Sequence, residues 1–149
     1  MKNIIKLFIA GLMLTGFISA CSKIDNLHKE DPLPVYEKGK SPVLSSSATT
    51  VAPTLADTTN TVISFNWTNP EYANDAATTK YVVEIDTAGG SFINPSSKAV
   101  NGILNTSFTG RELNAILLAY GYPLTDAKTV SVRVLSSYAN NNERYASNT

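Results

Sequence analysis

The sequence has little of what most catalytic and metal sites are built from, with one cysteine and one histidine among 149 residues. A single thiol excludes an internal disulfide. One histidine falls short of the two or more His or Cys ligands of an ordinary structural metal site. Clustered charge is missing as well: twelve basic side chains face twelve acidic ones, and Lys80, Lys98, Arg111, Lys128, Arg133 and Arg144 stand one at a time. A phosphate-binding surface needs Lys and Arg gathered on one face, so no nucleic-acid partner is expected. Phosphate-cradling glycine motifs are missing too, because Gly89-Gly90 runs into a strand-like Ser91-Phe92-Ile93 rather than a helix. The apolar run near the N-terminus, Leu7 to Ala20, is 14 residues long, against the ~20 that a membrane-spanning helix requires.

What is present begins with that run. Lys2 and Lys6 precede it, and the small residues Ser19 and Ala20 close it just before Cys21. This is the anatomy of a secretory signal over residues 1–20. Ile18-Ser19-Ala20-Cys21 resembles a lipobox, at which bacterial lipoprotein signal peptidase cuts before a cysteine already carrying diacylglycerol. A thiol is readily alkylated, and the freed α-amine of Cys21 can take a further acyl chain. Cys21 is therefore the expected lipid-attachment site, with the outer membrane as the partner reached through that lipid. Removal of residues 1–20 takes away Lys2 and Lys6 and leaves ten basic against twelve acidic residues.

Residues 21–40 mix charges, two prolines and a glycine with few apolar positions, and read as a flexible tether. Fully extended it reaches ~70 Å, and as a flexible coil ~25 Å. Ser22-Lys23-Ile24-Asp25 weakly resembles the short charged signal that sends some Bacteroidetes lipoproteins to the cell surface, although Ile24 breaks the acidic pair. His28 lies in this tether beside Lys29, Glu30 and Asp31, and a solvated linker explains it better than a metal site.

From residue 41 to 149 the pattern changes to period two. Ile63, Phe65 and Trp67 share one face of a first run, Tyr81, Val83 and Ile85 of a second, and Val130, Val132 and Val134 of a third. Asn69-Pro70, Ala88-Gly89-Gly90 and Asn94-Pro95 separate the runs. Three half-buried faces need a second sheet to cover them, so the expected fold is an all-β antiparallel sandwich. Thr109-Gly110-Arg111-Glu112 has the spacing of a capping box. Leu113, Ile116, Leu117 and Tyr120 follow at helical intervals before Gly121 and Pro123, which predicts one helix of about three turns.

Several segments together resemble the N-terminal domain of SusE-type outer-membrane proteins of Bacteroidetes. They are Pro-Val-Leu at 42–44, Phe-Asn-Trp-Thr-Asn-Pro at 65–70, Tyr-Val-Val-Glu-Ile-Asp at 81–86, Phe-Ile-Asn-Pro at 92–95 and Thr-Gly-Arg-Glu-Leu-Asn at 109–114. The resemblance implies a surface-exposed lipoprotein of a starch-type glycan-utilisation system, with an immunoglobulin- or fibronectin-like first domain. It also implies a SusC/SusD-like transport complex and glycans as partners, with the glycan sites in further domains downstream of this sequence. Tyr145-Ala146-Ser147-Asn148-Thr149 resembles the approach to the last strand of such a domain, so a missing final strand and an open edge beside Val130–Val134 are expected.

No catalytic constellation is legible and no cofactor or metal is expected. The lone histidine and cysteine lie before the domain, Asp86 ends its run, and Glu71, Asp75 and Asp126 fall in predicted loops. Trp67 could stack on a sugar ring, but its place in the Ile63–Phe65–Trp67 set assigns it to the core. Tyr72, Tyr122 and Tyr138 lie near predicted turns and are the candidate glycan contacts. Tyr120 also falls near a turn, but it sits on the apolar face of the helix. A spacer and docking module is the first reading of the domain, and an adhesin or carbohydrate-binding module acting through loop tyrosines the second.

Overall fold

The computed structural model describes residues 38–72, 75–123 and 125–149. Among these residues seven strands and one α-helix follow in order: β1 (Leu44–Ser46), β2 (Thr61–Trp67), β3 (Lys80–Thr87), β4 (Ser96–Asn101), β5 (Asn105–Thr109), α1 (Gly110–Ala119), β6 (Val130–Ser137) and β7 (Tyr145–Ala146). Two antiparallel sheets result, one ordered β1-β2-β5 and the other β4-β3-β6-β7. The expected all-β sandwich with one helix is thus the fold observed. Its fourth strand pairs with β3 and not with the first sheet, which departs from the constant-type immunoglobulin order.

Alternation placed the core correctly. Phe65, Trp67 and Phe108 from one sheet meet Tyr81, Val83, Ile85 and Val134 from the other, with Ile63, Val130 and Val132 packed against them. The Phe65 and Phe108 rings meet edge to face at 5.9 Å, and Trp67 lies 5.4 Å from Tyr81 across the sheets. Burying one such side chain stabilises the fold by about 2 kcal/mol. β1, β4, β5 and β7 escaped the sequence pattern because they are short or built largely of Ser, Thr, Asn and Lys. Ser91-Phe92-Ile93, expected to be strand-like, is instead a bend. Phe92 there adopts a positive φ of 53°, and its N–H donates to the Asp86 carboxylate at 2.8 Å.

The helix is fixed at both ends by the residues that predicted it. Thr109 Oγ1 accepts from the Glu112 N–H, and the Glu112 carboxylate accepts from the Thr109 N–H at 2.8 Å. At the other end Gly121 has φ 73°, and Tyr122 N–H donates to Leu117 O while Gly121 N–H donates to Leu118 O. That pair of bonds is a Schellman ending, which only a residue tolerant of positive φ supports well. Gly110 sits so close to the preceding 3-10 turn (Leu55–Asp57) that a Cβ would lie 2.6 Å from Asp57 O. The Thr109 N–H, followed by the Lys98 ammonium, holds the Glu112 carboxyl below its usual pKa. Its contribution is therefore present at neutral pH and lost as pH falls through the carboxylate range. Thr109→Ala should lower stability by ~1 kcal/mol, the usual worth of an N-cap hydroxyl. Urea denaturation of the two proteins checks this, and identical midpoints would show that the cap contributes nothing.

The domain takes hold of the chain before residue 41. Lys40 N–H donates to Pro70 O at 2.6 Å, its ammonium pairs with Glu71, and Gly39 lies against the Tyr72 ring. The last residues assigned to the tether therefore already rest on the sandwich. Cys21 and His28 lie outside the described residues. At the other terminus, where the final strand was expected to be missing, Tyr145 and Ala146 form a two-residue β7 paired with Ser136 and Leu135 of β6.

Candidate functional site

The three candidate glycan tyrosines do not form one site. Tyr72 and Tyr138 come together, ring centroids 4.8 Å apart, with Tyr145 6.0 Å from Tyr72. This cluster sits where Ser136 pairs with Tyr81, at the start of β3. Tyr122 lies beyond the helix, 6.4 Å from Tyr120, whose hydroxyl bonds Ile85 O near the other end of β3.

Tyr72 is not the exposed platform its place beside a turn suggested. Only 8% of it is exposed. Its hydroxyl donates to Glu143 O at 2.5 Å and lies 3.1 Å from the fully buried Ser136 hydroxyl. Burial raises the Tyr72 pKa, against a smaller opposing effect of Ser136, so the phenol stays protonated and available as a donor. The residue pins the 138–144 loop to the sandwich, and the Tyr138 ring lies against it. Tyr138 and Tyr122 are both half-buried. The Lys128 ammonium lies 5.9 Å from the Tyr122 ring centre.

Tyr120 is likewise structural: besides bonding Ile85 O, its hydroxyl accepts from the Ser96 N–H at 2.7 Å. It ties α1 to the neighbouring β3 and β4. Trp67 is 5% exposed, as alternation required, and its indole N–H makes no hydrogen bond to the described residues. That orphan donor faces the core and offers nothing to a ligand outside.

The carboxylates serve the fold. Glu84 accepts from Arg133 Nε at 2.7 Å, and the Arg133 guanidinium stacks over Phe92 at 4.1 Å. Asp86, expected to end its strand, is buried within it and accepts from the N–H groups of Thr87 and Phe92. A Cβ on Gly90 would lie 2.3 Å from Asp86 Oδ2, so the glycine makes room for that clamp. Asp57 and Glu112 cap the starts of their helices. Among the described residues, no group of three or more His, Cys, Asp or Glu could hold a metal ion.

Two recesses among the described residues bear on binding. A shallow one of about 480 Å³ is lined by Ala77, Thr78, Lys80, Ala99, Asn101 and Ala139, none of which offers an aromatic face. A larger cleft of about 1260 Å³ opens between the sheets beside α1 and includes Ile63, Leu113, Val130 and Val132 in its walls. Sequence reasoning missed this cleft, although the expectation of an open edge beside Val130–Val134 pointed to its place.

Comparison with known proteins decides the family. The model of the SusE outer membrane protein family matches residues 29–135, from before β1 to Leu135 in β6. The chain belongs to the SusE family. No curated protein and no solved structure matches it. Membership makes this SusE chain an outer-membrane protein of a Sus-type system. No helix among the described residues is long and apolar enough to cross a membrane.

Proposed function

We propose that this SusE chain is a cell-surface lipoprotein of a starch-type glycan-utilisation system, held to the outer membrane through lipid on Cys21. Its sandwich serves as a spacer and docking module, and glycan binding belongs to other domains. The observation that carries this reading is the direction of the rigid aromatics: Phe65, Trp67, Tyr81 and Phe108 on β2, β3 and β5 all face the core. A sugar site works through flat faces on a rigid concave surface with hydrogen-bond donors beside them. This domain keeps its strand-borne faces inside.

A second reading, a carbohydrate-binding or adhesin module, rests on Tyr138 stacked on Tyr72 at one end of the sandwich and on Tyr122 at the other. Each end offers one half-buried ring borne on a loop, Tyr138 or Tyr122, beside a second half-buried ring, Tyr145 or Tyr120, that belongs to β7 or to the end of α1. Ordering a loop opposes the gain from one stacking contact. The full chain should therefore bind maltoheptaose no better than millimolar, on the order of −4 kcal/mol. Titration calorimetry tests this. Saturable micromolar binding that falls away in Tyr138→Ala or Tyr122→Ala would replace the spacer reading with the second.

A further inference from the structure

Four segments gather at one end of the sandwich: the chain entering β1, the β2–β3 and β6–β7 loops, and the short β4–β5 turn. At that end three aliphatic side chains stand in solvent, Val43 60%, Ile103 49% and Leu104 37% exposed. The backbone sets them side by side. Val43 O accepts from the Thr68 N–H at 3.2 Å and Leu104 O from the Trp67 N–H at 3.0 Å, and Trp67 and Thr68 are neighbours where β2 ends. The other exposed large aliphatics among the described residues, Leu55, Ile93 and Leu118, belong to the segments that join strands at the opposite end.

These three side chains ride on a fixed backbone. Gly102 turns the chain with φ 68°, and its N–H donates to Thr79 O at 2.9 Å. A Cβ there would lie 2.7 Å from Ala77 O, so the β4–β5 turn is seated on the 3-10 turn Ala76–Thr78 with Ile103 and Leu104 beyond it. Val43 follows the fully buried Pro42, and its N–H donates to the Thr68 hydroxyl at 2.9 Å. Contiguous exposed apolar side chains mark a contact surface, whereas scattered ones need no explanation. The same end carries Lys38, Lys40, Lys80 and Arg144 against Glu71, Asp75 and Glu143, so no excess of acid opposes an anionic headgroup layer.

We propose that this end of the sandwich rests on the outer membrane, with Val43, Ile103 and Leu104 entering the boundary between headgroups and acyl chains. The inference rests on the reading of Cys21 as the lipid-attachment site. Its occupant follows from where the chain enters the sandwich. Residues 21–37 lie outside the described residues, and the chain arrives at this end through Lys38–Val43. There Gly39 lies against the Tyr72 ring, the Lys40 N–H donates to Pro70 O and Pro42 is fully buried. A lipid on Cys21 therefore holds the domain by this end. As a flexible coil, residues 21–37 would span ~23 Å. Contact of the apolar patch closes that gap, since side chains at a membrane interface reach ~5–10 Å into the headgroup and acyl boundary. A protein partner on the same patch would have to enter the space between the domain and its own anchor. The opposite end, with α1, then points away from the bilayer.

The test uses the full chain as the cell makes it, isotope-labelled at isoleucine, leucine and valine methyls. It is placed in nanodiscs of phosphatidylethanolamine and phosphatidylglycerol that contain a lipid with a nitroxide high on its acyl chain. Nuclear relaxation enhancement at the Ile103 and Leu104 methyls should exceed that at Leu55 and Ile93 at least tenfold. Ile103→Glu combined with Leu104→Glu should lower the enhancement at Val43 at least threefold and leave the core methyls unshifted. If that double variant does not fold, Val43→Glu should lower the enhancement at Ile103 in the same way. Equal enhancement at the two ends overturns the proposal, because the domain would then move freely at the length of its tether. So does an unchanged Val43 in the double variant, which would make its nearness to the lipid the work of the anchor alone. Contacts between Ile103 methyls of differently labelled copies overturn it as well, since a second copy would then be the occupant. Mass spectrometry of the same sample decides the anchoring separately. A chain without lipid on Cys21 refutes that reading, and the same measurement with a synthetic lipid coupled to the Cys21 thiol then decides the docking.

Discussion

Trp67→Ala should destabilise the domain by ~3–5 kcal/mol, the usual cost of emptying a large buried aromatic site. The indole is 5% exposed, lies against Tyr81 from the opposite sheet, and belongs to the cluster that joins the two sheets. Against a typical total stability of about 5–15 kcal/mol, such a loss leaves a small margin. Trp67→Phe makes the test more discriminating. It removes volume, but it also removes the indole N–H that has no hydrogen-bond partner among the described residues. A buried unsatisfied donor costs about 1–3 kcal/mol, so the phenylalanine variant should lose much less than the alanine variant. Circular dichroism during guanidinium denaturation reports both, since the only tryptophan is lost in each variant. An unchanged midpoint for Trp67→Ala would show an exposed ring and reopen the sugar-platform reading.

How far the fold could be read depended on whether a strand's own residues reveal which face is buried. β2, β3 and β6 alternate apolar and polar residues, and each of their inward sets is buried or packed against the core. β4 reads Ser-Ser-Lys-Ala-Val-Asn, and its inward positions include Ser96 and Lys98. Lys98 becomes an inward residue only because Glu112, Ser107 and Phe108 surround it, and two of those three lie on β5. That arrangement is tertiary and leaves no mark on a six-residue window. The helix was legible at both ends because its signals are local: a hydroxyl and a carboxylate three residues apart at the start, and a glycine at the finish.

The candidate site divides the same way. Trp67 was assigned to the core from its neighbours in sequence, since alternation alone decides its side. Tyr72 was misplaced because a position beside Asn69-Pro70 suggests exposure, while its burial comes from Ser136, Glu143 and Tyr145, 64 or more positions away. Asp86 was undervalued for a related reason. Its partners, Thr87 and Phe92, are close in sequence, but the clamp depends on the positive φ of Phe92, which no propensity for phenylalanine predicts.

Cys21→Ser should abolish acylation, the largest change expected of any single substitution in this chain. The proposed lipid site rests on Lys2 and Lys6, the uncharged run from Leu7 to Ala20 and the small residues before Cys21, the pattern of a lipoprotein signal. Serine keeps the size and polarity of the side chain and removes the thiolate, the group that accepts diacylglycerol. Each buried methylene contributes ~0.8 kcal/mol, so one chain of myristoyl length binds only marginally and two or three hold a protein essentially permanently. Membrane sedimentation is a poor measure of the loss, because an unprocessed apolar run could itself hold the variant to the bilayer. Metabolic labelling with a radioactive fatty acid reads the modification directly. The wild type should be labelled and Cys21→Ser should not, while both are made in similar amounts. Equal labelling of the two would remove the lipid anchor from the proposed function, and the spacer would need another means of attachment to the outer membrane.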